Sequence, residues 1–382
     1  MVNLEILSLF IFAATVGILL LRDRKNIKFH YGIIIRRWTE GVHLIDKLVS
    51  KYPKLITTLG NFGVGMGFIA GIGGVILLLV LTASLQQSFA LVLPTAGGYK
   101  IPGPVISVPF WYWLIAIFII AATHETMHAI FVRLEKVPLK NYGILMLLFL
   151  PIGAFVDPDD KKIRRLSPAK KLRIFAAGSF ANFVTAILAI GLFISGVYLF
   201  ASTTKTSGVI IDSIDENSPA SEANLEGVIV KVNDEKVSNV VDFVNALNNS
   251  HPGDGVTFTT DKGVYNINLA ENPEDNNKTY IGVKIRNMYE YNALGIGGQV
   301  PSPVIYAFFA VMSFLNWLFL ISLGVGIVNM LPMKPLDGGL FFGEILTRMF
   351  PNKGAMMMNI LSILMAGIIV FNLFGIQLIK AL

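Results

Sequence analysis

Cysteine is absent from the 382 residues. That excludes disulfides, thiolate metal sites and cysteine nucleophiles, so any metal must be held by histidine and carboxylate. Charge is scarce too: Asp, Glu, Lys and Arg make up 15% of the chain, against 54% hydrophobic residues. An average soluble domain carries about 25% charged residues. The balance indicates an α-helical multi-pass membrane protein. The first apolar run lacks a basic leader and a small-residue cleavage site, and is expected to stay as an anchor.

The charge that is present is unevenly placed. Residues 205–290 hold 14 acidic and 7 basic residues, a net of −7, which leaves +13 for the rest of a +6 chain. An acidic soluble domain is therefore expected inside a basic membrane body. The overall positive charge reads as membrane topology, not as affinity for nucleic acid.

Six transmembrane helices are expected, at about 4–21, 60–84, 109–132, 174–200, 303–329 and 355–379, each long enough for a hydrocarbon core of ~30 Å. The stretch after the first is basic (Arg22, Arg24, Lys25, Arg36, Arg37, Lys47), and residues 133–173 carry ten Lys/Arg. Residues 86–108 carry only Lys100. The positive-inside rule puts the first two stretches in the cytoplasm, and the N-terminus, residues 205–290 and the C-terminus outside. Trp38, Val42, Ile45, Val49 and Tyr52 recur at helical spacing among charges, which suggests an interfacial amphipathic helix. Residues 143–156 are apolar but too short to cross, and read as a re-entrant loop or a hairpin. Gly63, Gly67 and Gly71 make a small-residue face for close helix packing.

One run carries the chemistry: His124-Glu125-Thr126-Met127-His128, inside the third apolar segment. Histidines four apart on a helix share a face and can ligate one metal ion. The glutamate between them is placed to act as general base. A shuffled chain of this composition would show the pattern about two times in a thousand, so chance is a poor explanation. Ionisable residues within a membrane are costly and point to function. A catalytic zinc site usually takes a third protein ligand. His30 and His43 fall in the basic loop and His251 in the acidic domain, so a carboxylate is needed. Asp337 follows the broken run NMLPMKPL and precedes Gly338-Gly339, at the same expected depth as His128. Spacing alone leaves two readings of it, metal ligand or cap of the helix that follows.

HExxH in a membrane helix with a distant NxxPxxPLDGG resembles the site-2 protease family of intramembrane zinc metalloproteases. The resemblance covers roughly residues 109–350. It implies one Zn2+ held by His124, His128 and Asp337, with Glu125 as general base. The family's Gly-x-x-x-Asn pattern falls on Gly178 to Asn182, with Ser179 where many members have proline. It implies that Asn182 positions the substrate carbonyl or its oxyanion; an interhelical hydrogen bond is the plainer reading. Residues 205–290 have the strand, turn and short-helix rhythm of a PDZ-like domain, with 240–249 as its second helix and Tyr280-Ile281-Gly282-Val283 where a carboxylate-binding loop would lie. Such domains bind peptides at a sheet edge; a bulky filter without a ligand is the alternative.

The expected organisation is then residues 1–108 for two N-terminal helices and the interfacial segment, 109–204 with 291–350 for the catalytic core, 205–290 for the PDZ-like domain and 351–382 for a last helix. The expected function is hydrolysis of peptide bonds within transmembrane segments of membrane-anchored proteins. The expected partners are those substrates, the lipid bilayer and a peptide or substrate tail at the PDZ-like domain. A non-catalytic metal-binding scaffold and a metal transporter are the alternatives. Glu125 argues against the first, because a closed structural site needs no base, and the lack of inverted repeats argues against the second.

Overall fold

The computed structural model describes residues 4–381 apart from 31, 40, 97–98, 100, 274 and 293–297. Lys100, used above for topology, lies outside the described residues. By its internal contacts the chain forms two units, Met1–Leu192 with Ser313–Leu382, and Phe193–Met312.

The chain opens with α1 (Leu4–Arg22), then β1 (Ile27–His30), β2 (Ile33–Trp38) and the amphipathic α2 (Val42–Lys51). The long α3 (Pro53–Ala83) follows, begun by a proline whose fixed φ suits a first helical turn. Two short parallel strands, β3 (Leu91–Thr95) and β4 (Val105–Pro109), lead into α4 (Phe110–Leu134). Next come β5 (Leu139–Leu147) and β6 (Leu150–Pro158), then α5 (Asp160–Arg164) and α6 (Pro168–Thr203).

Residues 143–156 form the antiparallel hairpin β5–β6, turning at Leu148, whose φ is +56°. The hairpin belongs to a four-stranded sheet in the order β1-β2-β5-β6. The basic stretch after the first helix thus holds two strands, which the sequence reading treated only as a charged loop. β2 pairs with β5 from Ile33–Leu147 to Trp38–Tyr142. That long-range pairing leaves no local trace beyond the apolar run IIIRRW.

In the second unit the strands β7 (Thr204–Ile214), β8 (Val228–Val232), β9 (Glu235–Lys236), β10 (Gly255–Thr260) and β11 (Val264–Asn268) are accompanied by two helices, α7 (Pro219–Glu222) and α8 (Val240–Leu247). A small pair, β12 (Ala270–Asn272) and β13 (Asp275–Tyr280), precedes β14 (Val283–Tyr291). The main sheet runs β11-β10-β8-β7-β14, with β9 on β8. Its core is built from alternating strand residues, with Val209, Ile229, Val232 and Phe258 fully buried. Ser218 and Asn239 cap α7 and α8 by accepting from Ser221 N and Asp242 N. The strand, short helix, strand and second helix read from the sequence are all present in this β-rich unit. In the loop Tyr280–Val283, Gly282 sits at φ +80°, and a Cβ there would overlap Ser218. Tyr280 Oη donates to Asp215 Oδ2 at 2.8 Å, and this bond pushes the phenol pKa up.

The chain returns through α9 (Ser302–Asn329), α10 (Asp337–Met349) and α11 (Gly354–Val370), which continues through a wide turn at Phe371–Gly375 into α12 (Ile376–Ala381). Among the described residues, five helices are long and apolar enough to cross a membrane: α3, α4, α6, α9 and the run Gly354–Lys380. The sixth one expected, α1, has a shorter apolar stretch, Ile6–Arg22.

Beside its buried apolar clusters, the first unit is joined by close approach at glycines. Gly63 faces the Phe180 ring, Gly67 faces Met330 and Ala176, and Gly71 faces the Met330 carbonyl and Phe342. The expected small-residue face therefore packs α3 against α6 and the segment after α9. At the wide turn, Asn372 is fully buried and fully satisfied. Its Oδ1 accepts from Ser88 N and Phe89 N, each at 2.9 Å, and its amide donates to Thr82 Oγ1 at 2.8 Å.

Candidate metal centre

The centre is built from one turn of α4, one carbonyl and one amide of α6, and the first residue of α10. His124 and His128 lie one turn apart, with ring centroids 4.8 Å apart. His128 Nδ1 donates to the Ile174 carbonyl oxygen at 2.8 Å. A carbonyl only accepts, so Nδ1 carries the proton and Nε2 presents its lone pair.

Asp337 is brought in by the break after α9. Pro332 and Pro335 cannot continue a helix. The chain turns back so tightly that a Cβ at Gly338 would overlap the Met330 and Leu331 backbone, and one at Gly339 the backbone of Met333. α10 then begins at Asp337, capped by Leu336 without a side-chain bond. The Asp337 carboxylate thus does not cap the helix; it turns to the histidines. Lys334 pins the break to α11, its N–H donating to Ser362 Oγ and its Nζ to Asn359 Oδ1, each at 3.1 Å.

His124 Nε2, His128 Nε2 and Asp337 Oδ2 form a triangle with all three sides 3.2 Å. A tetrahedral ion with bonds of about 2.0 Å spaces its ligand atoms by about 3.3 Å. Lone pairs and a carboxylate converging in this way repel unless a cation lies among them, so the donor set fits a metal such as zinc. Among the described residues this is the one group of three His, Cys, Asp or Glu side chains close enough to hold an ion. His30, His43 and His251 are not part of it.

Close packing behind the triangle explains the Gly-x-x-x-Asn pattern. A Cβ at Gly178 would overlap the imidazoles of both His124 and His128. Asn182 is fully buried, with its amide 3.1 Å from His124 Nδ1 and its Oδ1 unpartnered. Turning the amide over makes Oδ1 the acceptor of the Nδ1 proton and frees His124 Nε2 for a metal. Ser322 Oγ donates to the Asn182 carbonyl oxygen at 2.9 Å and ties α9 to the same turn of α6.

Glu125 stands where two cavities meet. One, of about 540 Å³, also touches His128, Asp337, Asp160 and Arg164. The other, of about 460 Å³, is apolar, and Glu125 is its one charged lining residue. Phe155 and Val156 of β6 line both. Glu125 and Val156 line both cavities, so the hairpin edge lies directly against the site.

Several residues that hold this geometry were read from the sequence only as topology charges. Arg173 Nη2 donates to Glu135 at 2.7 Å, and Glu135 is 5% exposed. Lys171 bonds both carboxylate oxygens of Glu344 at 3.3 and 3.2 Å, tying α6 to α10. Arg133 grips Asp46 with two bonds and docks α2 on the end of α4. The available signal was the helical start at Ser167-Pro168, which carries Lys171 and Arg173 into α6 instead of leaving them in a loop.

Comparison with known proteins places this geometry. "Uncharacterized protein MJ0971" of Methanocaldococcus jannaschii is 28% identical over 325 residues, covering 83% of this chain and 79% of that one. Residues 112–371 match the family model of Peptidase family M50, whose members are zinc-dependent membrane metallopeptidases. That match takes in both histidines, the Gly178–Asn182 turn and Asp337, and extends over more than half of the sequence: the chain belongs to peptidase family M50, the site-2 protease family.

Proposed function

We propose that this protein is an intramembrane zinc endopeptidase that cuts transmembrane segments of membrane-anchored proteins, releasing them as in regulated intramembrane proteolysis. The observation that carries the reading is the triangle of 3.2 Å sides beside Glu125. His124, His128 and Asp337 hold the ion. A zinc ion there supplies Lewis-acid activation of water and of the scissile carbonyl. Glu125 accepts the proton of the attacking water and returns it to the leaving amide nitrogen. The Ile174 carbonyl fixes the His128 tautomer. Asn182 orients His124 from behind, and reaches a substrate oxyanion only by rotating away from that ring.

A transmembrane helix hides its carbonyls in internal hydrogen bonds and must unwind before one can be attacked. Unwound backbone in lipid needs a partner. β6 is an edge strand of its sheet and lines the same two cavities as Glu125, so an unwound substrate adds beside it as a further strand. This favours substrates with Gly, Pro or Asn near the cut.

In this reading α1 makes a sixth crossing. Its 19 residues reach about 28 Å, close to a core of about 30 Å. The basic stretches face the cytoplasm, which puts the metal centre near that side and the acidic β-rich domain outside. That domain, PDZ-like in its order of strands and helices, screens substrates by size or holds a trimmed substrate tail. Removing residues 205–290 is expected to widen cleavage to untrimmed substrates; unchanged selectivity would leave the domain without this role.

Purified protein in detergent, offered a panel of single-span substrates, tests the main reading. Cleavage is expected from the wild type, and is expected to vanish with a chelator and in Glu125→Gln. Cleavage that survives both treatments defeats it.

A further inference from the structure

The apolar cavity beside Glu125 is not needed for the hydrolytic chemistry, yet it opens directly onto it. One wall is the face of α4 that carries Ala121 and Ala122, within one turn of Glu125. The opposite wall is made by β5 and β6, where Gly143, Gly153 and Phe155 of the alternate positions also line it. Tyr142 pairs with Val156 and Ile144 with Ala154. Residues two apart on a strand share a face, as do residues directly opposite each other on paired strands. Tyr142, Ile144, Ala154 and Val156 therefore lie on one face, and all four line the cavity.

A strand added beside β6 would extend these same rows. Every second side chain of that strand then projects from the same face, into the cavity. At about 460 Å³ the space lies within the range of about 300–1,000 Å³ typical of sites that enclose small organic groups, so one bulky side chain fits. The walls are hollow because they are made of small residues: Ala121 and Ala122 on the helix, Ala154 on the strand. Aromatic rings of Trp38, Phe118 and Tyr142 complete the lining.

We propose that this cavity selects one large apolar side chain of the substrate next to the scissile bond, and that Ala122 and Ala154 set its depth. The proposal rests on the proteolytic reading given above. Aspartate or lysine at that substrate position is excluded, because an ion there loses its hydration without a partner of opposite charge other than the catalytic carboxylate. Burying a large apolar side chain in such a pocket discriminates by about 10- to 200-fold.

The test uses full-length protein and single-span substrates that keep one helix-breaking residue and vary a single position beside the cut through Ala, Leu, Phe and Asp. The wild type is expected to cut the Leu and Phe substrates at least about tenfold faster than the Ala substrate, by kcat/KM, and the Asp substrate slowest. Ala122 is exposed and Ala154 half-buried, so Leu is tolerated at both. Ala122→Leu and Ala154→Leu are each expected to remove that preference, lowering the ratio of the Phe rate to the Ala rate about tenfold or more. An equal fall for every substrate, or a preference that survives both variants, overturns the pocket. Cleavage without any side-chain preference in the wild type overturns the pocket alone. No cleavage by the wild type overturns the proteolytic reading and the pocket with it.

Discussion

The two units differ in where their large apolar residues face. In the β-rich unit the large apolar residues point inward: Val209, Ile229, Val232 and Phe258 are fully buried, and polar groups serve caps and turns. In the helical unit large apolar residues point outward, with Ile69 and Ile363 each 73% exposed. Beside buried large residues such as Phe131, Met330 and Phe341, it also buries small and polar ones where its helices meet: Gly63, Gly67, Gly71, Ala176, Ser179, Asn182 and Ser322. The first pattern is that of a domain stabilised by withdrawing apolar surface from water. The second is that of a protein whose solvent is lipid, where apolar burial gives little drive and close packing with polar contacts between helices sets the fold. Polar residues are thus few inside the helical unit, and Asn182, Ser322 and the triangle of His124, His128 and Asp337 share one neighbourhood.

The contrast can be broken most strongly at the triangle. Glu125→Gln is expected to lower the cleavage rate by about 10²–10⁴-fold with the metal retained. Asp337→Ala is expected to lose the metal as well, measured as zinc per chain. Metal retention in Asp337→Ala would remove α10 from the centre. Next in size is a test of the soluble pattern. Phe258→Ala should destabilise the β-rich unit by about 3–5 kcal/mol in a denaturant melt while zinc content stays unchanged. Loss of zinc in that variant would mean that the two units are not built on separate principles. Smaller again is Asn182→Ala, which should weaken zinc affinity by about 10- to 100-fold, read by competition with a chelating dye. A variant with full affinity and slow turnover would instead make Asn182 a substrate-positioning group. Smallest is Lys205→Ala, whose pairing with Glu290 at 3.5 Å is solvent-exposed and is expected to shift stability by no more than about 1 kcal/mol.

Local signals carried much of this structure. The apolar runs became helices, Val42–Lys51 of the expected segment 38–52 became α2 while Trp38 instead ends β2, and the short run 143–156 became a hairpin, because length and periodicity are written in adjacent residues. His124, Glu125 and His128 were legible for the same reason. Spacing alone left Asp337 as cap or ligand and the family resemblance implied a ligand; the structure turns its carboxylate to the histidines and away from capping α10. Strands β1 and β2 were not legible. Their pairing partner is β5, far along the chain, and their arginines read equally well as juxtamembrane charge. α3 begins at Pro53 and α6 at Pro168, earlier than their apolar runs, because the first turns of a membrane helix can be polar where they leave the core. The Glu135–Arg173 and Lys171–Glu344 pairs depend on how three helices pack, which a single sequence does not display.

The central claim is that a peptide bond is cut inside a membrane span by the group around Glu125. Mass spectrometry of the products from one defined single-span substrate tests it most directly. The account predicts two fragments whose new ends lie within the span, and neither fragment from Glu125→Gln. Fragments cut only in the soluble flanks, or the same fragments from Glu125→Gln, would contradict it.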